Sequence, residues 1–310
     1  MRLSHPDQTC RILLLLVLGL AGLAAPNSSA DDWPQWLGPT RDGVYSEAGI
    51  VDSIPESGLP IKWRVPVNGG YSGPAVVGQR LYLMDYRITK GKLIEEPDAK
   101  PELQGFERIV CINTEDGSTL WQLEYPCTYR ICYPAGPRAT PTVQDGQVIA
   151  LGAQGDLKVL SADDGSVLWQ KNLATDFKAD VPVWGFAAHP LVTPTSVITM
   201  VGGENQAVVA FDRQSGRTLW KSLSSSDAGY CPPSLVQAGG TSQLIVWHPQ
   251  AVASLNPETG KPFWEVPLEP DYGMSIARPQ KLGNQLFVSG IVNKNLMLRL
   301  DSDRPAVTEE

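Results

Sequence analysis

Short apolar runs separated by polar turns recur along the chain from residue 61 to its end. RIVCI, LKVL, AVVAF, AVASL and LMLRL are rich in β-branched residues and leucine. Each gives way to a turn whose first residue is Asn113, Ser161, Asp212, Asn256 or Asp301. In the first four cases a glycine follows four residues later: Gly117, Gly165, Gly216 and Gly260. A tryptophan stands four residues beyond each: Trp121, Trp169, Trp220 and Trp264. The residue before each tryptophan is Leu120, Leu168, Leu219 or Phe263. Side chains of Asn, Asp and Ser accept from amides two residues on, and glycine supplies the positive φ of a tight turn. The pattern therefore predicts a hairpin in each unit, with tryptophan early in the second strand. A tryptophan placed alike in every unit is expected to pack against the next unit. The fifth unit, beginning at Leu300-Asp301, is expected to be cut off before its glycine and tryptophan.

A second series lies upstream of the first. Pro74, Pro141, Pro190, Pro233 and Pro279 each open an apolar stretch, and each is followed by a further run: RLYLMDY, QVIALG, SVITMVG, SQLIVW and QLFVSG. Proline at the start of a strand loses no ladder hydrogen bond. The unit is then four strands long, the length of a propeller blade. Nearly continuous apolar runs fit sheets covered on both faces. Parallel β/α architecture would also give such runs, but no helical periodicity separates them. Residues 87–107, rich in Lys, Glu and Pro, are expected to form a solvated loop between strands.

These motifs identify the chain as similar to the quinoprotein-like β-propellers, whose tryptophan-docking repeats have the form apolar-Asp-x-x-Thr-Gly-x-x-x-Trp. The match covers roughly residues 61–308. The resemblance implies an all-β fold, a β-propeller of four-stranded antiparallel blades, with about five blades present and the ring incomplete. The chain then reads as a fragment or a truncated product. The segment DDWPQWLGPTRDGVYSE resembles the arm that precedes the first blade in exported bacterial members of this family. Trp63, in IKWRVPV, resembles the outer strand that would complete the last blade and close the ring.

The resemblance implies two kinds of function. Some relatives are dehydrogenases of alcohols or sugars that hold pyrroloquinoline quinone (PQQ) with calcium. Others are scaffolds without a cofactor, such as the BamB type. The enzymes resemble one another in an adjacent cysteine pair and a set of calcium-binding carboxylates. This chain has no adjacent cysteines and no assignable acidic cluster, so the expectation is a binding or assembly scaffold without cofactor chemistry, with no catalytic residue and no metal ligand assigned. A PQQ-dependent dehydrogenase and a carbohydrate-binding propeller are the alternatives.

The loops that lead into the proline strands are the candidate site. They carry Tyr71, Arg138, Trp184, His189, Tyr230, Tyr272 and Arg278. Aromatic rings with a few directed polar groups suit a protein partner, a small ligand or a glycan. The same rings are also what would simply fill a channel mouth, and a lone histidine such as His189 or His248 is more often hydrogen-bonded structure than a catalytic group.

Composition narrows the reading further. The net charge is −8 over 310 residues, and no basic block is present, which excludes nucleic acid as a partner. Residues 1–30 combine Arg2 and Arg11, an apolar run from Ile12 to Ala25 and small residues ending at Ala30. This predicts a signal peptide, an arm over 31–60 and blades over 61–310, in a protein exported to the periplasm or beyond with no membrane span after cleavage. Cys127 and Cys132 are then either a local disulfide or two free thiols.

Overall fold

Each proline of the series immediately precedes the first strand of a sheet. The computed structural model describes residues 31–47, 49 and 51–310. The proposed signal peptide lies outside the described residues. Residues 32–46 and 51–310 form one compact unit. Its first sheet comprises β1 (Ala75–Val77), β2 (Arg80–Lys90), β3 (Leu103–Asn113) and β4 (Thr119–Tyr129). The second comprises β5 (Thr142–Gln144), β6 (Gln147–Leu151), β7 (Asp156–Ser161) and β8 (Val167–Asn172), followed by the short helix α1 (Leu173–Phe177). The third holds β9 (Leu191–Val192), β10 (Ser196–Met200), β11 (Val208–Asp212) and β12 (Thr218–Ser222). The fourth holds β13 (Ser234–Ala238), β14 (Thr241–His248), β15 (Ala251–Leu255) and β16 (Pro262–Pro267). The fifth holds β17 (Gln280–Leu282), β18 (Gln285–Ser289), β19 (Asn295–Leu300) and β20 (Val307–Glu309). Every sheet is a four-stranded antiparallel meander in chain order. Five such blades in an unclosed ring make the all-β propeller that the repeats imply.

The turn between the third and fourth strands has the expected chemistry. The glycine amide donates to the first turn residue at 2.9 Å (Gly117 to Asn113), 3.0 Å (Gly165 to Ser161), 2.8 Å (Gly216 to Asp212) and 2.9 Å (Gly260 to Asn256). All four glycines have positive φ, from 68° to 76°, where a side chain is disfavoured. The Oδ1 of Asn113 accepts from the amide of Glu115 at 2.8 Å, and that of Asn256 from Glu258 at 2.9 Å.

The ladder then skips one residue. Register breaks between Cys111 and Ile112, Val159 and Leu160, Ala210 and Phe211, and Ser254 and Leu255. The skipped residue in each partner strand is the one before tryptophan: Leu120, Leu168, Leu219 and Phe263. A bulge re-aims the side chains that follow it. It leaves Leu120, Leu168 and Leu219 exposed, at 44%, 48% and 37%, and turns the indoles toward the neighbouring sheet. Trp121 Nε1 donates to Ala162 O at 3.0 Å, Trp169 to Arg213 O at 2.8 Å and Trp220 to Pro257 O at 3.2 Å. Each acceptor lies three residues before the glycine of the next unit. The indole covers that glycine closely: a Cβ on Gly216 would come within 2.7 Å of Trp169, and one on Gly165 within 2.5 Å of Trp121. Trp264 instead donates to Gln243 Oε1 at 3.0 Å, within its own sheet.

Three expectations need correction. The fifth unit does have its fourth strand, β20. Its turn carries Pro305 four residues after Asp301, where the other units carry glycine, and Thr308 pairs with Arg299 where the others place tryptophan. Proline has no amide to close the turn as glycine does. Trp63 belongs to no strand and pairs with nothing in the fifth sheet. Its indole donates to Thr114 O at 2.8 Å and covers Gly117, the same contact that the later tryptophans make one unit on. Finally, residues 87–107 are not all loop. The strands β2 and β3 continue into this stretch, leaving 91–102 between them. Tyr86, Leu103, Cys127, Tyr129, Ile131 and Ala153 bury that extension in a small core of their own. Cys111, Cys127, Cys132 and Cys231 are all buried free thiols.

Candidate functional site

The loops before the first strands contact one another in succession. Tyr71 and Ser72 in the first loop both donate their amides to Pro137 O in the second, at 2.8 and 3.0 Å. Backbones meet here so closely that a Cβ on Gly69 would lie 2.6 Å from Ala135 O. Arg138 sits over the Tyr71 ring, 5.1 Å from its centroid. Its guanidinium then ties the second loop to the third. Nε donates to Trp184 O at 2.6 Å, Nη2 to Tyr133 O at 2.6 Å and Cys132 O at 3.0 Å, and Nη1 to Gly136 O. Trp184 meets Tyr230 of the fourth loop with ring centroids 5.3 Å apart. The Tyr230 amide donates to Ser275 O of the fifth loop at 3.0 Å.

Tyr71, Arg138, Trp184 and Tyr230 are thus one continuous string of contacts around the mouth. Arg138 has no carboxylate partner in that string. Carbonyls hold its fork, and burial lowers its pKa, opposed by Tyr129 and Tyr71. Tyr71 donates its hydroxyl to Glu95 in the 91–102 segment. Burial and that hydrogen bond push the phenol up to about 12. Tyr272 stands apart from the string. It is 85% exposed and has positive φ. Arg278 bonds to Gln280 Oε1 at 3.2 Å, and burial lowers its pKa against the attraction of Asp42.

His189 belongs to a second cluster, built by the N-terminal arm. Its ring stacks on Trp36, with centroids 4.7 Å apart and planes 22° apart. Arg41 follows in the arm and is buried. Its Nη1 donates to Pro190 O at 3.1 Å and to Gln35 Oε1 at 3.2 Å. Its Nη2 donates to His189 O at 3.4 Å and Pro233 O at 3.3 Å. One guanidinium thereby spans the starts of β9 and β13. Burial, with Arg278 nearby, lowers its pKa to about 10. Burial and the Arg41 charge push His189 down to about 3, so its imidazole is neutral at physiological pH. A cavity of about 400 Å³ lies between the arm and the loops, lined by Trp33, Trp36, Leu37, Tyr71, Arg138 and His189 among others.

Arg41, Trp33 and Trp36 are not marked by the loop pattern. The signal was visible as two tryptophans and a single arginine in DDWPQWLGPTRDG, but nothing local says that an arm folds back onto loops some 150 residues away.

Other acidic groups lie elsewhere. Glu107 is fully buried in β3 and accepts from the Tyr125 and Tyr129 hydroxyls and, at 2.8 Å, from the Ala153 amide. It groups with Cys127 and Asp156 at distances that suit a metal ion, the one such group among the described residues.

Comparison with known proteins places this geometry. The sequence pattern of the outer membrane protein assembly factor BamB matches residues 55–180 and 105–300. The outer membrane protein assembly factor BamB of Yersinia pestis is 26% identical over 122 residues, covering 39% of this chain and 27% of that protein. The quinohemoprotein alcohol dehydrogenase of Comamonas testosteroni superposes with a TM-score of 0.56 at 15% identity, over 92% of this chain and 50% of that one. BamB of Moraxella catarrhalis gives a TM-score of 0.47 at 15% identity, over 69% and 62% of the two chains. The chain thus spans about a quarter of the curated relative and about half of the dehydrogenase. At 15% identity the dehydrogenase shares the fold, and a fold alone does not carry a reaction.

Proposed function

The chain belongs to the outer membrane protein assembly factor BamB family, and from that premise we propose that it is an exported scaffold that binds a partner at the mouth of its propeller. The matches to the BamB pattern and to BamB of Yersinia pestis support this reading. The observation that carries it is the string Tyr71–Arg138–Trp184–Tyr230, which holds five loops in one surface. Aromatic rings fixed by carbonyl-bound arginine make a preformed, partly exposed binding face. Export agrees with the leader-like first thirty residues, and no helix among the described residues is long and apolar enough to cross a membrane.

The residues at the mouth do not fit a calcium-bound quinone. Calcium requires six to eight oxygen ligands, carboxylates among them. The carboxylates near this mouth are dispersed: Glu95 accepts from the Tyr71 hydroxyl and Asp42 lies near Arg278, beside the cations Arg41 and Arg138. The one group of metal-like spacing among the described residues involves Glu107 instead, whose oxygens are engaged by two tyrosines and an amide. The test is a titration of the purified full chain with PQQ and calcium, followed by absorbance and by reduction of a dye acceptor. The scaffold reading expects neither a saturable spectral change nor dye reduction. One equivalent of bound quinone would overturn it.

A further inference from the structure

The seat of the N-terminal arm is built largely from main-chain groups. Trp33 exchanges two hydrogen bonds with Val76 of β1, at 2.8 and 2.9 Å, and Pro34 O accepts from the Val143 amide of β5 at 2.8 Å. The backbone of two arm residues, Trp33 and Pro34, thus pairs locally with the first strands of two sheets. Beyond Trp36 it turns through Leu37, Gly38 and Arg41, all with positive φ. Non-glycine residues hold that conformation only where their surroundings impose it. Three backbone carbonyls then receive the Arg41 guanidinium, and the His189 ring receives the Trp36 face. The seat still leaves atoms unmatched. Arg41 Nε, His189 Nδ1 and Ser234 Oγ are buried without a hydrogen-bond partner among the described residues.

We propose that this seat is a binding groove for an extended peptide segment carrying an aromatic residue followed five positions later by arginine, and that residues 32–46 occupy it as a built-in competitor. The proposal rests on the scaffold reading above and names its partner class. Each part of the groove reads one part of such a segment. The edges of β1 and β5 pair with an extended backbone, His189 stacks on an aromatic ring, and the carbonyls of His189, Pro190 and Pro233 take a planar cation. Two left-handed residues and three unmatched polar atoms make the arm an imperfect occupant, which a better-fitting segment displaces. Because the arm is tethered, it competes at an effective concentration on the order of millimolar. A free copy of the arm peptide is therefore kept out of the intact protein and enters only when the tethered copy is weakened.

The experiment uses full-length protein and a fluorescein-labelled peptide with the sequence of residues 31–46, read by fluorescence anisotropy. The doubly substituted chain Trp36→Ala/Arg41→Ala is expected to take up the peptide saturably, at least tenfold more tightly than the wild-type chain. A peptide carrying the same two substitutions should bind that variant at least tenfold more weakly. Absence of saturable binding by a variant with wild-type circular dichroism overturns the proposal, as does equal binding of the two peptides. A second form leaves the arm and seat unaltered and inserts a protease site within the exposed segment 52–57. After cleavage, labelled peptide should replace the released arm, and failure to enter the cleaved protein once the arm has dissociated again overturns the proposal. Photo-crosslinking from Tyr71 and Tyr272 judges the scaffold reading separately. Crosslinks that persist while the peptide fails would remove the peptide proposal alone.

Discussion

Replacing Gly216 by alanine should be damaging for a reason that a second substitution can undo. Gly216 holds φ at 68°, and an added Cβ would come within 2.7 Å of the Trp169 indole. The conformation alone costs an alanine about 1–2 kcal/mol. Overpacking against a fixed ring adds about 1–3 kcal/mol. Gly216→Ala should therefore lose about 2–5 kcal/mol. Trp169 is 8% exposed, lies 6.1 Å from the Phe211 ring and donates to Arg213 O. Truncating it should cost about 3–5 kcal/mol, of which the hydrogen bond accounts for about 1 kcal/mol. In the double variant no indole meets the new Cβ, so only the conformational cost of alanine remains. The pair should be less destabilised than the sum of the singles by about 1–3 kcal/mol. Urea unfolding of the four proteins measures this, provided that the slope m stays constant. Additivity within about 0.5 kcal/mol would mean that the indole and the glycine do not touch, and the account of how blades join would fail.

Two other perturbations follow from the buried polar groups. Burial raises the Glu107 pKa from its ordinary 4.5, opposed by hydrogen bonds from Tyr125, Tyr129 and Ala153. The folded chain thus binds this proton more tightly than the unfolded chain, so its contribution to stability is complete below about pH 4.5 and is lost as pH rises through the folded value. Glu107→Gln removes the titration; its one carboxamide oxygen can still accept from Tyr129 and Ala153, while its amino group donates to the Tyr125 hydroxyl, which must turn to accept. It should flatten the fall in melting temperature above that pH, and parallel curves for the two proteins would contradict this. Arg138→Lys keeps the charge but cannot hold four carbonyls in one planar fork. It should lower the unfolding free energy by at least about 2 kcal/mol, and an unchanged urea midpoint would show that the fork does not join the loops.

The parts of the fold that repeat locally were the parts legible in the sequence. Pro74 through Pro279 marked every first strand, and the Asn/Asp/Ser-to-Gly spacing marked four of the five outer hairpins, because both depend on backbone chemistry within a few residues. The large apolar residue before each tryptophan is plain in the sequence, but the bulge it occupies becomes visible only with the partner strand. The fifth unit was misread because Pro305 and Thr308 break the motif while the pairing of β19 with β20 survives. The strand content of residues 87–107 is hidden in the sequence because exposed Glu102 and Gln104 alternate with buried Leu103, Gly105 and the charged but buried Glu107. Tyr71, Arg138, Trp184 and Tyr230, singled out by their loop position, do touch one another in the structure. Arg278 and Tyr272 were placed with them by the same rule, yet Tyr272 stands apart in solvent. The arm is legible as a segment but its seat is not, since its contacts with His189, Pro190 and Pro233 exist only in three dimensions.

On the scaffold reading, the mouth and not the opposite rim is the working surface. A photo-crosslinking amino acid placed in turn at Tyr71, Tyr272 and Leu120, all exposed, tests it in the cells that make the protein. Leu120 lies on the bulge beside the Gly117 turn, at the end of its sheet away from the mouth loops. Discrete adducts are expected from Tyr71 and Tyr272, those from Tyr71 lost on Trp184→Ala, and none from Leu120. Adducts from Leu120 alone would contradict it.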